Sequence, residues 1–545
     1  MYDYVIVGAG SAGCVLAGRL SEDPDVSVLL IEAGPPDTSE NIHVPAAFAQ
    51  LLHSQLDWDY STGPEPFADR RRVHLPRGRT LGGSSSLNWM VYIRGHRADY
   101  EQWRDEGCEG WGYEELLPYF IRAEDNERGA SRYHGTGGPL TVSDGRSRNP
   151  IAEAFLEACD QDGQSRNEDF NGAEQDGFGR YQVTQRDGRR CSTAVGYLHP
   201  AMSRANLTVE TFTQVHRVLF EDGRAVGVQA ARLGETGEPH EYRAEREVIL
   251  CGGAYNSPQL LMLSGVGPAE LLSAMQIPVM VDLPAVGQNL QDHSGTGLLW
   301  THDEPVSLLS ALSEENMAMF ATEARGPLTS NGVEAGGFLR TNAELPAPDL
   351  QFHAVPARLL EEPSFEHGFT LAVCPLKPAS RGMLTLRSPD PTTQPFILHN
   401  YYAEDSDMRI MLEGLRIAEE IGAQPALAPY TSRLYDEPAS ESEADRRAYV
   451  RRQTYTFFHP VGTCRMGSDE EAVVDTELRV NGVEGLRVVD ASVMPSVVRG
   501  NTNAPTIAIA ERAADLIRHG EAHLTGVSQP APADVQPAQL SGSGV

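Results

Sequence analysis

The chain opens on YDYVIV (2–7), a short run rich in valine and isoleucine, and breaks at once on Gly8, Gly10 and Gly13. The next residues, SAGCVLAGRLS, place Ala12, Leu16 and Leu20 at i, i+4 and i+8, which predicts a helix. VSVLLIEAG (26–34) then reads as a second buried strand. The opening is therefore strand, glycine turn, helix, strand: a βαβ unit. The same pattern returns in EREVILCGGAYNSPQLLML (245–263), a strand running into glycines and an apolar helix. EGLRVVDASVMP (484–495) is a third strand, ending at a small-residue turn. NAPTIAIAERAADLI (503–517) predicts a helix with Pro505 at its first position and Ala504 as its cap. Residues 336–400 differ. GGFLRT, PDLQFHAVP and GMLTLRS are alternating or β-rich and predict a separate, largely antiparallel sheet. Strand-to-helix units spread along the chain and interrupted by another sheet predict two interleaved domains, α/β plus α+β. The segment 527–545, rich in Pro, Ala, Ser and Gln, has too little apolar content to order itself.

Composition narrows the function classes. Lys+Arg number 44 against 76 Asp+Glu, a net charge of −32. Lys377 is the single lysine. A surface this acidic repels phosphate backbones and anionic lipid, so no nucleic-acid or membrane-surface partner is expected. The 7 cysteines (Cys14, Cys108, Cys159, Cys191, Cys251, Cys374, Cys464) are odd in number and scattered. They form no CxxC pair and no zinc-like spacing, which argues against a disulfide framework or a metal site and for a reducing compartment. The N-terminus shows no basic stretch followed by an apolar one, and no apolar run approaches the roughly 18 residues that span a bilayer. The expectation is a cytoplasmic protein with no integral membrane segment.

GAGSAG (8–13) matches GxGxxG, and its setting supplies the specificity: it follows a strand, opens a helix and is trailed by Glu32 at the end of the second strand. Gly8 permits the tight turn, Gly10 the approach of a pyrophosphate, and Gly13 close packing of helix on strand. The helix N-terminus offers free N–H groups and partial positive charge. Glu32 accepts hydrogen bonds from a ribose diol and repels a 2′-phosphate, so NADP is disfavoured. FAD and NAD share the fingerprint, and the motif does not choose between them.

Three more stretches do. RGRTLGGSSSLNWMVYIRG (77–95), GAYNSPQLLMLSGVG (253–267), and FFHPVGTCRMG (457–467) with VVDASVMPSVVRGNTNAPTIAIAERAADLI (488–517) resemble the glucose–methanol–choline (GMC) family of FAD-dependent oxidoreductases. The resemblance runs from about residue 2 to residue 520 and is strongest to the choline-dehydrogenase-like and general alcohol dehydrogenase or oxidase branch. It implies a Rossmann-like FAD-binding domain from residues 1–150, 191–300 and 457–522. A substrate domain on a six-stranded antiparallel sheet would take 151–190 and 301–456, leaving 523–545 as the unordered tail. Carried over by position, Gly8, Gly10, Ser11, Ala12, Gly13, Glu32 and Ala33 hold the ADP half, and Val215 meets adenine through its backbone. Gly82, Gly83, Ser84, Asn88, Trp89 and Val91 lie against the isoalloxazine. Asp490, Ala491, Asn501, Asn503, Pro505 and Thr506 meet the pyrophosphate–ribityl region and the flavin pyrimidine edge. Some members attach FAD through a histidine in GGxSSHN; here Leu87 stands at that place, which implies non-covalent FAD.

The resemblance places His459 and Asn503 as the pair facing the flavin N5. Alcohol oxidation removes a proton from oxygen and a hydride from carbon; the flavin takes the hydride, and a neutral imidazole with a pKa near ~6.5 takes the proton. An amide opposite donates a hydrogen bond to the developing alkoxide. Trp89, Glu334, His353, Phe457 and Phe458 are the expected substrate pocket, each also open to a packing role, and His293 reads as structural. The expected activity is oxidation of an alcohol to an aldehyde or ketone, a primary alcohol first, with oxygen or a quinone or carrier as acceptor. Choline oxidation and a hydroxynitrile-lyase-like reaction on the same scaffold are the alternatives.

Overall fold

The computed structural model describes residues 1–235, 238–359 and 366–519. The tail expected at 523–545 lies outside the described residues.

The strand Tyr2–Val7 is the middle of a seven-stranded sheet. It pairs in parallel with Val28–Ile31 on one side and His240–Leu250 on the other. Leu207–Glu210 extends the parallel run beyond Val28–Ile31, and Leu486–Val488 pairs with the C-terminal end of His240–Leu250. Val5, Ile6, Leu29, Leu30, Val248 and Ile249 are all fully buried, which is why these strands read as unbroken apolar runs. Thr213–Glu221 and Arg224–Arg232 form an antiparallel ribbon on the near half of His240–Leu250. The helices Ser11–Leu20 and Asn503–His519 lie against each other, tied by Arg19 donating to the fully buried Glu511 at 2.8 Å. Tyr197 Oη also donates to Glu511, at 2.7 Å. The first and last helices, separated by nearly the whole chain, thus close one body, as the interleaving predicts.

The second sheet is antiparallel. Its main path runs Arg433–Leu434, Ser294–Thr301, Gly368–Pro375, Leu350–Val355, Ala335–Leu339, Gly177–Arg180. That path holds six strands, the number expected; Tyr455–Thr456 adds a seventh against the start of Ser294–Thr301. One boundary moves. All of Ser294–Thr301 but its last residue lies in the span 191–300 given to the first domain, yet the strand pairs with Gly368–Pro375 in the second sheet. Every residue of SGTGLLWT is buried, so this strand has no polar face and reads like a strand of the parallel sheet. The helix Asp405–Gly422 covers this sheet closely enough that a Cβ on Gly414 would stand 2.4 Å from Val373 Cγ1. Among the described residues no helix is long and apolar enough to cross a membrane. All seven cysteines are unpaired and buried.

Candidate active site

The glycine turn packs as its spacing requires. A Cβ on Gly13 would stand 1.9 Å from the Gly8 carbonyl oxygen, so helix and strand touch through backbone. Gly10 caps the helix Ser11–Leu20 without a side-chain hydrogen bond, leaving its first N–H groups to the space beyond. Gly83, at φ +52, brings the GGSSS loop onto this turn: a Cβ there would meet Gly10 Cα at 2.6 Å. Glu32 is buried, accepting from Ala9 N at 2.9 Å and Gly34 N at 2.8 Å. Burial pushes its carboxyl up to about 7 against the pull of those N–H groups and Arg79. Asp490 accepts from Gly253 N at 2.8 Å, Ser257 Oγ at 2.6 Å and Ser492 N at 2.8 Å, so it locks the second glycine turn beside the first.

These groups line one cavity of about 1860 Å³. A pocket for one drug-sized ligand is roughly 300–1,000 Å³; this one has room for a dinucleotide and a substrate beside it. Gly8, Gly10, Ser11, Ala12, Glu32, Ala33, Gly83, Ser84, Asn88, Trp89, Val91, Val215, Asp490, Ala491, Asn501, Asn503 and Thr506 all face it. Gly13, Gly82 and Pro505 do not. Gly13 is the helix–strand contact, Gly82 backs onto Ser86 Oγ, and Pro505 is buried in the first turn of the last helix. An uncapped helix N-terminus, a close backbone approach and a buried carboxylate at the end of the second strand fit the pyrophosphate and ribose of FAD.

His459 lines the same cavity, on the chain leaving Tyr455–Thr456. Its backbone N–H donates to Asp292 Oδ1 at 2.8 Å, and Asp292 also accepts from Tyr401 Oη and Thr456 Oγ1 at 2.6 Å each. The imidazole is wedged between two polar side chains: Nδ1 is 2.8 Å from His293 Nδ1, and Nε2 is 3.1 Å from Asn501 Nδ2. Burial, with His293, His353 and Arg77 nearby, holds His459 well below the usual histidine range. Burial likewise lowers His293 to about 4 and His353 to about 3. The three rings are neutral at neutral pH.

The amide beside His459 therefore belongs to Asn501. Asn503 instead accepts from Ser11 Oγ at 2.7 Å, joining the last helix to the phosphate turn. The physical reason is where that helix starts. Asn503 is its first residue, two positions before Pro505, and the first i to i−4 bond runs from Thr506 N to Thr502 O at 3.1 Å. The helical turn carries Asn503 toward Ser11 and leaves Asn501, ahead of the helix, facing the ring. NTN spacing alone does not separate the two.

The expected pocket residues divide. Trp89, His353, Phe457 and Phe458 line the cavity with His459. Phe457 stacks on His353 at 4.8 Å between ring centres, and Phe48 packs on Trp89 at 5.1 Å. Glu334 is elsewhere. It accepts from Asn149 N and Ser330 Oγ at 2.8 Å each and lies 3.6 Å from Arg180, bracing the start of the helix Pro150–Gln161. Among the described residues, the carboxylates that do line the cavity are Glu32, Asp59, Glu366 and Asp490. Asp59 is bonded to His53 at 2.7 Å and His74 at 2.9 Å, and Glu366 is paired with Arg358. His293, read from the sequence as structural, bonds directly to His459. No sequence signal marks it: Gln291, Asp292 and His293 are three consecutive polar residues whose burial only the structure shows.

Two GMC oxidoreductase family models match the chain, over residues 2–295 and 378–510. Human mitochondrial choline dehydrogenase is 47% identical over 536 residues, covering 95% of this chain and 90% of that protein. An alcohol dehydrogenase [acceptor] of Pseudomonas putida is 44% identical, covering 95% and 96%. Among solved structures, pyridoxine 4-oxidase from Mesorbium loti superposes with a TM-score of 0.88 at 34% identity, covering 95% of this chain and 99% of that one.

Proposed function

The chain belongs to the GMC oxidoreductase family, whose members depend on FAD, and we propose that it oxidises an apolar primary alcohol to the aldehyde. Its proton acceptor is His459 Nε2 and its amide donor Asn501. FAD, when bound, supplies the hydride acceptor. The observation that carries the reading is the 3.1 Å separation of His459 Nε2 and Asn501 Nδ2, among aromatic side chains of the cavity that also holds the glycine turn and Glu32. A neutral imidazole in a buried site accepts the hydroxyl proton, and the amide N–H stabilises negative charge on the alcohol oxygen. Phe457, Phe458 and Trp89 keep water from that oxygen and supply apolar contact to the substrate.

Choline is the second reading, and the choline-dehydrogenase relatives favour it. A quaternary ammonium calls for an aromatic face and a nearby carboxylate. The aromatic faces are present, but among the described residues each cavity-lining carboxylate already has a partner, and Glu334 points out of the cavity. The apolar alcohol is therefore preferred. FAD is held without a covalent bond, since Leu87 stands where the linking histidine would. Buried, unpaired cysteines suit a reducing compartment, and the cytoplasm is the proposed location. Oxygen and a quinone or carrier protein are the two candidate acceptors.

The test is anaerobic mixing of the yellow holoenzyme with primary alcohols and choline, followed by air. Bleaching by apolar alcohols supports the reading; bleaching by choline alone moves the substrate assignment. Fast recovery of colour with peroxide identifies oxygen as acceptor, and slow recovery a quinone or carrier. No bleaching by any alcohol overturns the oxidation and favours a lyase.

A further inference from the structure

We propose that His293 is a positioning residue that fixes His459 in the tautomer with its proton on Nδ1, leaving Nε2 unprotonated as the acceptor. The inference rests on the reading of His459 as proton acceptor.

The argument is a chain of forced donors. His293 Nε2 lies 3.0 Å from the carbonyl oxygen of Leu376. A carbonyl only accepts, so the His293 proton is on Nε2. A neutral imidazole carries one ring proton, so His293 Nδ1 is an acceptor. His459 Nδ1 stands 2.8 Å from it and must donate. His459 Nε2 is then a lone pair, and Asn501 Nδ2 at 3.1 Å donates to it.

The amide at the far end is oriented to match. Gln351 Nε2 donates to Asn501 Oδ1 at 3.5 Å, so the Asn501 oxygen is taken and its NH2 is the group turned to His459. The opposite tautomer would set an N–H on His459 Nε2 against that NH2, and a lone pair on Nδ1 against a lone pair on His293. It would also block the atom that accepts the proton.

The anchor is rigid. Leu376 N donates to Asp349 O at 2.9 Å, and Lys377, the next residue, donates to Val497 O at 2.8 Å. The charged and titratable groups around the line are Asp292 and Arg77 beside His459, His353 across the pocket, and Lys377 with Asp99 behind His293. In the proton step the alcohol O–H bond breaks, its electron pair stays on oxygen, and Nε2–H forms. The resulting imidazolium keeps its Nδ1–H on His293, which remains neutral and stabilises the new cation as an acceptor.

The test compares His293→Asn, whose Oδ1 falls where Nδ1 was, with His293→Leu, which has no acceptor. The loss of a residue that sets a catalytic tautomer costs up to about 10⁴-fold in rate. For His293→Leu we expect flavin reduction at saturating alcohol to slow at least about 100-fold, with flavin content retained and KM changed less than about threefold. His293→Asn should recover at least about tenfold of that loss, and the pH at which the rate is half-maximal should shift in His293→Leu but not in His293→Asn. His293→Leu within about threefold of the parent, or His293→Asn no faster than His293→Leu, overturns the proposal. If His293→Leu does not retain FAD, His293→Gln replaces it. Its longer amide keeps the Leu376 contact but leaves the Nδ1 position empty, so Asn must be faster than Gln, and equal rates overturn the proposal. His459→Asn, run in parallel, separates the two readings. Unimpaired reduction in that variant removes His459 as the proton acceptor, whereas an unimpaired His293→Leu beside an inactive His459→Asn removes only the positioning role.

Discussion

Lys377 Nζ donates to the carbonyl of Val497 at 2.8 Å and to Ser496 Oγ at 3.2 Å. The chain's single lysine thereby joins the strand end that holds His293 to the turn that carries Asn501. Its third partner, and its ionic one, is Asp99, fully buried, 3.5 Å away and shared with Arg499. Burial alone would raise the Asp99 carboxyl; Lys377 and Arg499 hold it below the usual carboxylate range. Lys377→Met keeps the apolar stem and leaves Asp99 with one cation. Breaking a buried ion pair from one side costs about 3–5 kcal/mol, so denaturant unfolding should show a loss of about 3 kcal/mol. Alcohol-driven flavin reduction should slow as well, because both arms of the site share this tie.

The two asparagines of NTN should separate by phenotype. Asn501→Ala removes the amide from His459 Nε2. Loss of one such donor costs about 10²–10³-fold in rate, and stopped-flow flavin reduction should fall by about 100-fold with FAD still bound. Asn503→Ala breaks the Ser11 bond and should show mainly as FAD lost on dilution and gel filtration. A reversed pattern would return the pair to His459 and Asn503.

His134 gives a pH signature of stability. It is buried between Glu124, at 3.1 Å from Nδ1, and Asp169, at 2.9 Å from Nε2. Burial works against its charge, but the hydrogen bonds to Asp169 and Glu124 win and raise it to about 9. A raised folded pKa stabilises the native state fully below the unfolded value near ~6.5, and that contribution is lost as pH rises through about 9. Unfolding free energy should therefore decline between about pH 6.5 and pH 9, by an amount of the order of 3 kcal/mol. His134→Asn should flatten the decline, and a variant that keeps the full slope would assign it to another group.

A Cβ on Gly13 would meet the Gly8 carbonyl at 1.9 Å, and both partners are backbone. Gly13→Ala must push the helix Ser11–Leu20 off its strand. It should yield protein without bound flavin, measured as the ratio of visible to ultraviolet absorbance, and a normal ratio would refute the close-packing role.

Much of this was legible in the chain because its signals are local. YDYVIV with its glycines, and the apolar helix after Asn503, specify one half of the molecule through period and turn chemistry. His459 was legible only through its motif. What escaped depends on distant partners. Ser294–Thr301 is buried throughout, so periodicity cannot say which sheet owns it. Asn501 and Asn503 are separated by the point at which a helix begins, which the position of Pro505 misplaces by two residues. His293 and Glu334 look alike in sequence, single polar residues in buried runs. Contacts made by Leu376 and His459 in one case, and by Asn149 and Ser330 in the other, put the first in the site and the second outside it.

The most direct measurement is anaerobic flavin reduction by 1-hexanol in the parent holoenzyme and in His459→Asn. General acid–base groups contribute about 10²–10⁴-fold, so the parent should bleach and the variant, with FAD still bound, should bleach at least about 100-fold more slowly. Equal rates in the two proteins, or no bleaching of the parent by any alcohol, would contradict the account.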